Sequence, residues 1–101
     1  MNQHSLIIRF KYRGDDFEPL YELEQSLGEA LDEAGVGDYD GHEMAIDGKT
    51  GEMVMTGPDA HAIWEAVHSV LETARFMRGA EAELRLGSGE DVETDVYTVG
   101  S

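Results

Sequence analysis

Cysteine is absent from the 101 residues, which excludes disulfide staples, thiolate metal sites and cysteine nucleophiles. Long hydrophobic runs are missing as well, and nothing approaches the roughly 18 uninterrupted apolar residues of a membrane span. The opening Met1-Asn2-Gln3-His4 lacks a cationic region followed by an apolar run, so no signal peptide is expected. Positive charge is scarce: 7 Lys and Arg stand against 22 Asp and Glu, for a net charge of −15. Residues 1–50 hold 12 acids and 4 bases and residues 51–101 hold 10 and 3, so no acidic tail explains the imbalance. Such a surface repels phosphate backbones and anionic bilayers and steers basic partners toward itself. Nucleic acid and membrane are therefore not expected partners, and solubility is the simplest use of the charge.

What is present reads as one folded domain. A 41% hydrophobic, 29% charged composition belongs to a globular chain, and 11.1 kDa provides for a single core spanning residues 1–101. The lack of cysteine is compatible with a reducing cytoplasm, the expected location.

From Leu6 to Arg13 the chain alternates, with Leu6, Ile8, Phe10 and Tyr12 on a core face and Arg9, Lys11 and Arg13 on the other. Pro19 opens a helix, with Asp16 or Glu18 as its cap. Leu20, Leu23, Leu27, Ala30, Leu31 and Ala34 make its apolar stripe, and Gly35 ends it. A hairpin follows. Its first strand, about Tyr39 to Asp47, turns Met44 and Ile46 inward; the turn is Gly48 to Gly51; the return, Glu52 to Thr56, turns in Met53 and Met55. Gly57-Pro58-Asp59 starts a second helix, with proline in its first turn. Its stripe is Ile63, Trp64, Val67, Val70, Leu71 and Ala74, with Trp64 expected as the buried anchor. Arg75 and Arg78 belong near its carboxyl end, and Gly79 stops it. Ala82, Leu84 and Leu86 then face inward along a last core strand. The order β-α-β-β-α-β predicts an α+β, ferredoxin-like sandwich with two helices on one face of a four-stranded antiparallel sheet. Residues 87–101 form either an additional edge strand, given the Val, Thr and Tyr of Val92 to Val99, or a flexible tail.

Two surfaces stand out as candidate sites. On the outward sheet face, Arg9, Lys11, Arg13 and Arg85 share a surface with Glu43, Glu52 and Glu83 at cross-strand spacing, which suits a protein interface. The same pattern is also that of an ordinary salt-laced solvated face. An RNA-binding sheet would show outward aromatics on its central strands, yet Phe10 and Tyr12 have inward parity. The second candidate is the polar cluster Tyr39, Asp40, His42 and Glu43, whose hydroxyl, imidazole and carboxylates are groups that move protons or hold a hard metal. Strand parity puts Tyr39 and Glu43 on one face and Asp40 and His42 on the other, unless the strand bulges at Gly41. On the second helix His61, Glu65, His68 and Glu72 form a stripe that reads as a solvated face. His4 reads as a terminal surface residue. Gly48-Lys49-Thr50 lacks the glycine approach of a phosphate loop, since Met44 stands where its first glycine belongs. No catalytic residue, cofactor or metal is assigned.

The stretch Gly37 to Glu43, the hairpin, Gly57-Pro58-Asp59-Ala60 and the ending Leu84-Arg85-Leu86-Gly87 resemble a small family of acidic bacterial proteins of unassigned function. The resemblance implies a bacterial cytoplasmic protein and supplies no catalytic residue. The leading expectation is a small protein-interaction or regulatory module, with a homodimer or a basic protein as partner. The alternatives are a small enzyme or metal-binding protein using Asp40, His42 and Glu43, and an acidic decoy or immunity-like protein.

Overall fold

Strict alternation at the start of the chain produces the central strand of the sheet. In the computed structural model, which describes residues 3–12, 16–46, 48–87 and 92–100, β1 spans His4–Lys11. Leu6, Ile8 and Phe10 are buried on one side of it, with Tyr12 just beyond. β1 pairs antiparallel with β3 (Thr50–Gly57) on one flank and β4 (Glu81–Arg85) on the other. β2 (Asp38–Met44) lies outside β3, and β5 (Thr94–Thr98) outside β4. The order β2-β3-β1-β4-β5 is the expected ferredoxin-like sheet with a fifth strand added at one edge. Helices α1 (Glu18–Ala34) and α2 (Ala60–Glu72) cover one face, where the core forms, and leave the other face uncovered. Arg13 and Asp47 lie outside the described residues.

α1 buries Leu20, Leu23, Leu27 and Leu31, one residue per turn. Ala30 is only half-buried and Ala34 is exposed, so the true stripe is narrower than expected. Asp16 Oδ1 accepts from the Glu18 amide at 3.0 Å, ahead of an N-cap at Phe17. Gly35 ends the helix at φ 65°, and its amide bonds back to Leu31 and Asp32.

α2 departs further from expectation. Asp59 is itself the N-cap and accepts from the His61 amide at 3.0 Å, so Pro58 precedes the helix instead of occupying its first turn. The His4 Nδ1 accepts from the Ala60 amide at 3.0 Å; the supposed surface histidine satisfies a helix-end donor. The helix stops at Glu72, well before Gly79, because the Thr73 hydroxyl donates to the Val70 carbonyl and the Thr73 and Ala74 amides close three-residue turns. Arg75 therefore opens a separate 3₁₀ turn, Arg75–Met77, and Arg78 follows it. The buried face is Ala60, Ile63, Val67 and Leu71; Trp64 sits half-buried at its flank.

The hairpin is also shorter than its apolar pattern implies. β2 ends at Met44 and β3 begins at Thr50, and the Ala45 amide donates to the Thr50 carbonyl at 2.9 Å. Ile46 is consequently fully exposed in the turn instead of facing the core.

Candidate functional site

A one-residue bulge organises the polar cluster. Tyr39 lies opposite Met55, but the next pair is Gly41 with Val54, so Asp40 is the extra residue. Gly41 adopts φ 113°, which favours glycine. Three positions apart on a regular strand, Tyr39 and His42 would face opposite ways. The extra residue puts both on the helix side, against Met55 and Met53 respectively. There they meet Glu24 of α1. The Tyr39 hydroxyl donates to Glu24 Oε2 at 2.8 Å, and His42 Nδ1 lies 2.8 Å from the same oxygen. An ionised carboxylate only accepts, which assigns the proton of that contact to Nδ1. Burial, and secondarily the bond to Glu24, pushes the Tyr39 hydroxyl well above the ordinary phenol range. Tyr21 flanks the cluster, 6.5 Å from the His42 ring.

Glu24 is the residue that sequence reasoning missed. It falls at the helical spacing Leu20, Glu24, Leu27, Leu31, so a carboxylate in an otherwise apolar stripe was the available signal. Its side chain is only 16% exposed, and Oε1 is buried with no hydrogen-bond partner. Chemically this is a carboxylate-oriented imidazole, an arrangement that can hold or move a proton. Its protein role is already evident: it ties α1 to the outermost strand of the sheet.

The remaining members of the polar cluster lie on the uncovered face. Asp40 accepts from the Thr56 hydroxyl at 2.8 Å, and Glu43 stands directly opposite Glu52. Asp40 and Glu43 thus flank the strand on the side away from His42. Among the described residues, no group of three or more histidine and carboxylate side chains is placed to hold a metal ion.

Arg9 is the hub of the same uncovered face. Its guanidinium reaches Glu83 at 2.7 Å, Glu81 at 3.1 Å and Glu52 at 3.8 Å, and the bond to Glu83 leads in raising its pKa. Arg85 Nε lies 3.4 Å from the other Glu83 oxygen without a geometrically sound hydrogen bond. Lys11 is exposed on the same side. At the bulge a shallow recess of about 400 Å³ is lined by Asp40, Gly41, Glu43, Glu52 and Val54 together with His42. Toward the far end of β1 a larger open groove, about 680 Å³, is lined by Glu43, Glu52 and Glu81, by Arg9, Lys11 and Arg78, and by apolar side chains that include Phe10 and Phe76.

β5 adds contacts that the pattern of α2 did not disclose. His61 Nε2 lies 2.8 Å from Asp95 Oδ2, and Trp64 stacks on Tyr97 with 5.6 Å between ring centroids and 21° between planes. His68 also packs against Trp64, with 5.6 Å between ring centroids, and sits 3.6 Å from Glu72. The histidine stripe of α2 is therefore in part the seat of the fifth strand.

No family model matches the chain, no curated protein matches it, and no solved structure matches it. Membership of a specific acidic bacterial family is accordingly not shown; the fold itself stands on its own topology. Among the described residues, no helix is long and apolar enough to cross a membrane.

Proposed function

We propose that this chain is a small protein-interaction module whose uncovered sheet face receives a basic segment of a partner protein. The observation that carries the proposal is the direct cross-strand opposition of Glu43 and Glu52 on a face that no helix covers. Like charges placed opposite one another destabilise a sheet. Arg9 relieves only part of this repulsion, since it lies 3.8 Å from Glu52 and gives its shorter contacts to Glu81 and Glu83. A lysine or arginine from a partner would bridge the two carboxylates and offset their repulsion while laying its methylene stem on Gly41 and Val54 in the adjoining recess. The net charge of −15 would speed the encounter and make it sensitive to salt. A bacterial cytoplasmic setting accords with the sequence resemblance.

The test is a titration with a synthetic lysine- and arginine-rich peptide, using variants of equal charge. Glu43→Gln with Glu52→Gln should weaken binding about tenfold, equivalent to ~1.4 kcal/mol, and Glu29→Gln with Glu33→Gln on exposed helix positions should not. Equal losses from the two double variants would reduce the attraction to diffuse charge and overturn the proposal.

A further inference from the structure

The two edges of the sheet are built differently. At β2 the edge carries Asp38, Asp40 and Glu43 and is interrupted by the bulge, devices that discourage a foreign strand from pairing there. At β5, Thr94–Thr98, the single charged side chain is Asp95, and it is tied to His61 at 2.8 Å. Val96 is 57% exposed and Tyr97 39%, two of the four large exposed hydrophobic residues among those described. The strand contains no proline, lysine or glycine, and its register with β4 is unbroken.

Backbone parity shows which groups face outward. The Leu86 amide bonds to the Glu93 carbonyl and the Val99 amide to the Ala80 carbonyl, both at 2.9 Å, so odd-numbered residues of this segment point their backbone groups at β4. Val96 therefore directs its N–H and C=O away from the sheet. From this geometry we infer that β5 pairs antiparallel with β5 of a second copy of this chain, about a two-fold axis at Val96. Across that axis Val96 meets Val96 and exchanges both backbone hydrogen bonds, while Thr94 comes opposite Thr98, a favourable cross-strand pair. Asp95 comes opposite Tyr97, so no carboxylate faces a carboxylate within the pairing. A basic peptide would find a single carboxylate here, already engaged by His61, whereas a second copy matches the strand side chain for side chain. The axis runs perpendicular to the sheet, so both uncovered faces lie on the same side of one continuous sheet.

Charge gives the pairing a distinctive salt dependence. Two chains of −15 repel, so self-association should strengthen with salt, opposite in sign to the binding of a basic peptide. Sedimentation velocity across a range of protein concentrations should show a monomer–dimer equilibrium. The dimer should be more populated in about 1 M sodium chloride, where the Debye length is about 3 Å, than in about 0.01 M, where it is about 30 Å. Val96→Pro removes the outward N–H at a position where an edge strand tolerates proline, and Val96→Lys installs an edge cation. Each should raise the dimer dissociation constant at least about tenfold with an unchanged circular dichroism spectrum. For the lysine variant this loss occurs although the substitution makes the chain less negative and so weakens the mutual repulsion. Glu43→Gln with Glu52→Gln should leave the dimer intact, and Val96→Pro should leave peptide binding intact, which separates this inference from the function proposed above. A chain that stays monomeric at high salt and high concentration, or a dimer that persists in both folded Val96 variants, would overturn it. So would loss of the dimer through Val54→Lys with retention in Val96→Pro, since that result assigns the contact to stacked faces.

Discussion

Replacing Glu24 with alanine should weaken the domain far more than removing any other carboxylate of α1. The side chain stands in the leucine stripe and accepts two hydrogen bonds of 2.8 Å at one oxygen, from Tyr39 and His42. A hydrogen bond to a charged group contributes about 1.5–3 kcal/mol, and donors left unsatisfied in a buried setting add to the loss. Glu24 and His42 retain 16% and 24% side-chain exposure, so water offsets part of this. The expected loss is about 2–4 kcal/mol, which for a chain of this size lowers the melting temperature by roughly 10–30 °C. Glu24→Gln should fall between wild type and alanine, because its carbonyl can still accept while its new amide group lacks an acceptor. Urea denaturation followed by Trp64 fluorescence is the assay, with exposed Glu22→Ala as a control expected to stay within about 0.5 kcal/mol. A double-mutant cycle with Tyr39→Phe should give a coupling of at least about 1 kcal/mol. A Glu24→Ala loss below about 1 kcal/mol, or additivity in that cycle, would refute the tie between α1 and β2.

Trp64→Ala should destabilise by about 1.5–3 kcal/mol, less than the roughly 3–5 kcal/mol of a fully buried aromatic, because the ring is half-buried against Tyr97 and His68. Amide exchange should accelerate first in Thr94–Thr98; equal acceleration throughout β1 would instead make Trp64 a core anchor. Alkaline pH should destabilise the fold through Tyr39 and Tyr12, whose pKa values are raised chiefly by burial. Each contributes stability that is complete below the ordinary phenol value of about 10 and is lost as pH rises beyond it, because the unfolded chain releases its proton first. Tyr39→Phe should flatten the fall in stability above about pH 10 by up to ~1.4 kcal/mol per pH unit, and an unchanged slope in denaturation series would contradict the burial of that hydroxyl.

The parts of this fold legible in the sequence are those where one face is dry and periodicity leaves no choice. Leu6, Ile8 and Phe10 could not be shifted by one residue without exposing the whole set, and Leu20, Leu23, Leu27 and Leu31 repeat at intervals that only a helix brings into line. Local chemistry decided the rest. Asp40 is accommodated as an extra residue beside Gly41, and nothing in two-residue parity requires that bulge. Once present, it reverses the relation of Tyr39 to His42 and brings both to a glutamate fifteen or more residues away. Ile63 and Trp64 are adjacent apolar residues of one helical stripe, yet Ile63 lies in the core while Trp64 lies at the flank, where it stacks on Tyr97 of β5. His4 looked like a chain-end residue because its partner, the Ala60 amide, lies 56 positions away.

Asymmetry between the edges also determines what kind of assembly the fold can make. A strand edge that pairs with a different edge of the next copy extends without limit, whereas an edge that pairs with itself about a two-fold axis closes. The proposed pairing of β5 with β5 would consume the one edge without a bulge or a row of acids. The edges left at both ends of the enlarged sheet are then two copies of β2, each with Asp38, Asp40 and Glu43 and the interruption at Asp40. Bringing those ends together would set carboxylates against carboxylates between assemblies of doubled negative charge. The same bulge that turns His42 and Tyr39 inward to hold α1 would therefore also limit growth to the proposed dimer, because it breaks the ladder on which a further strand would have to pair.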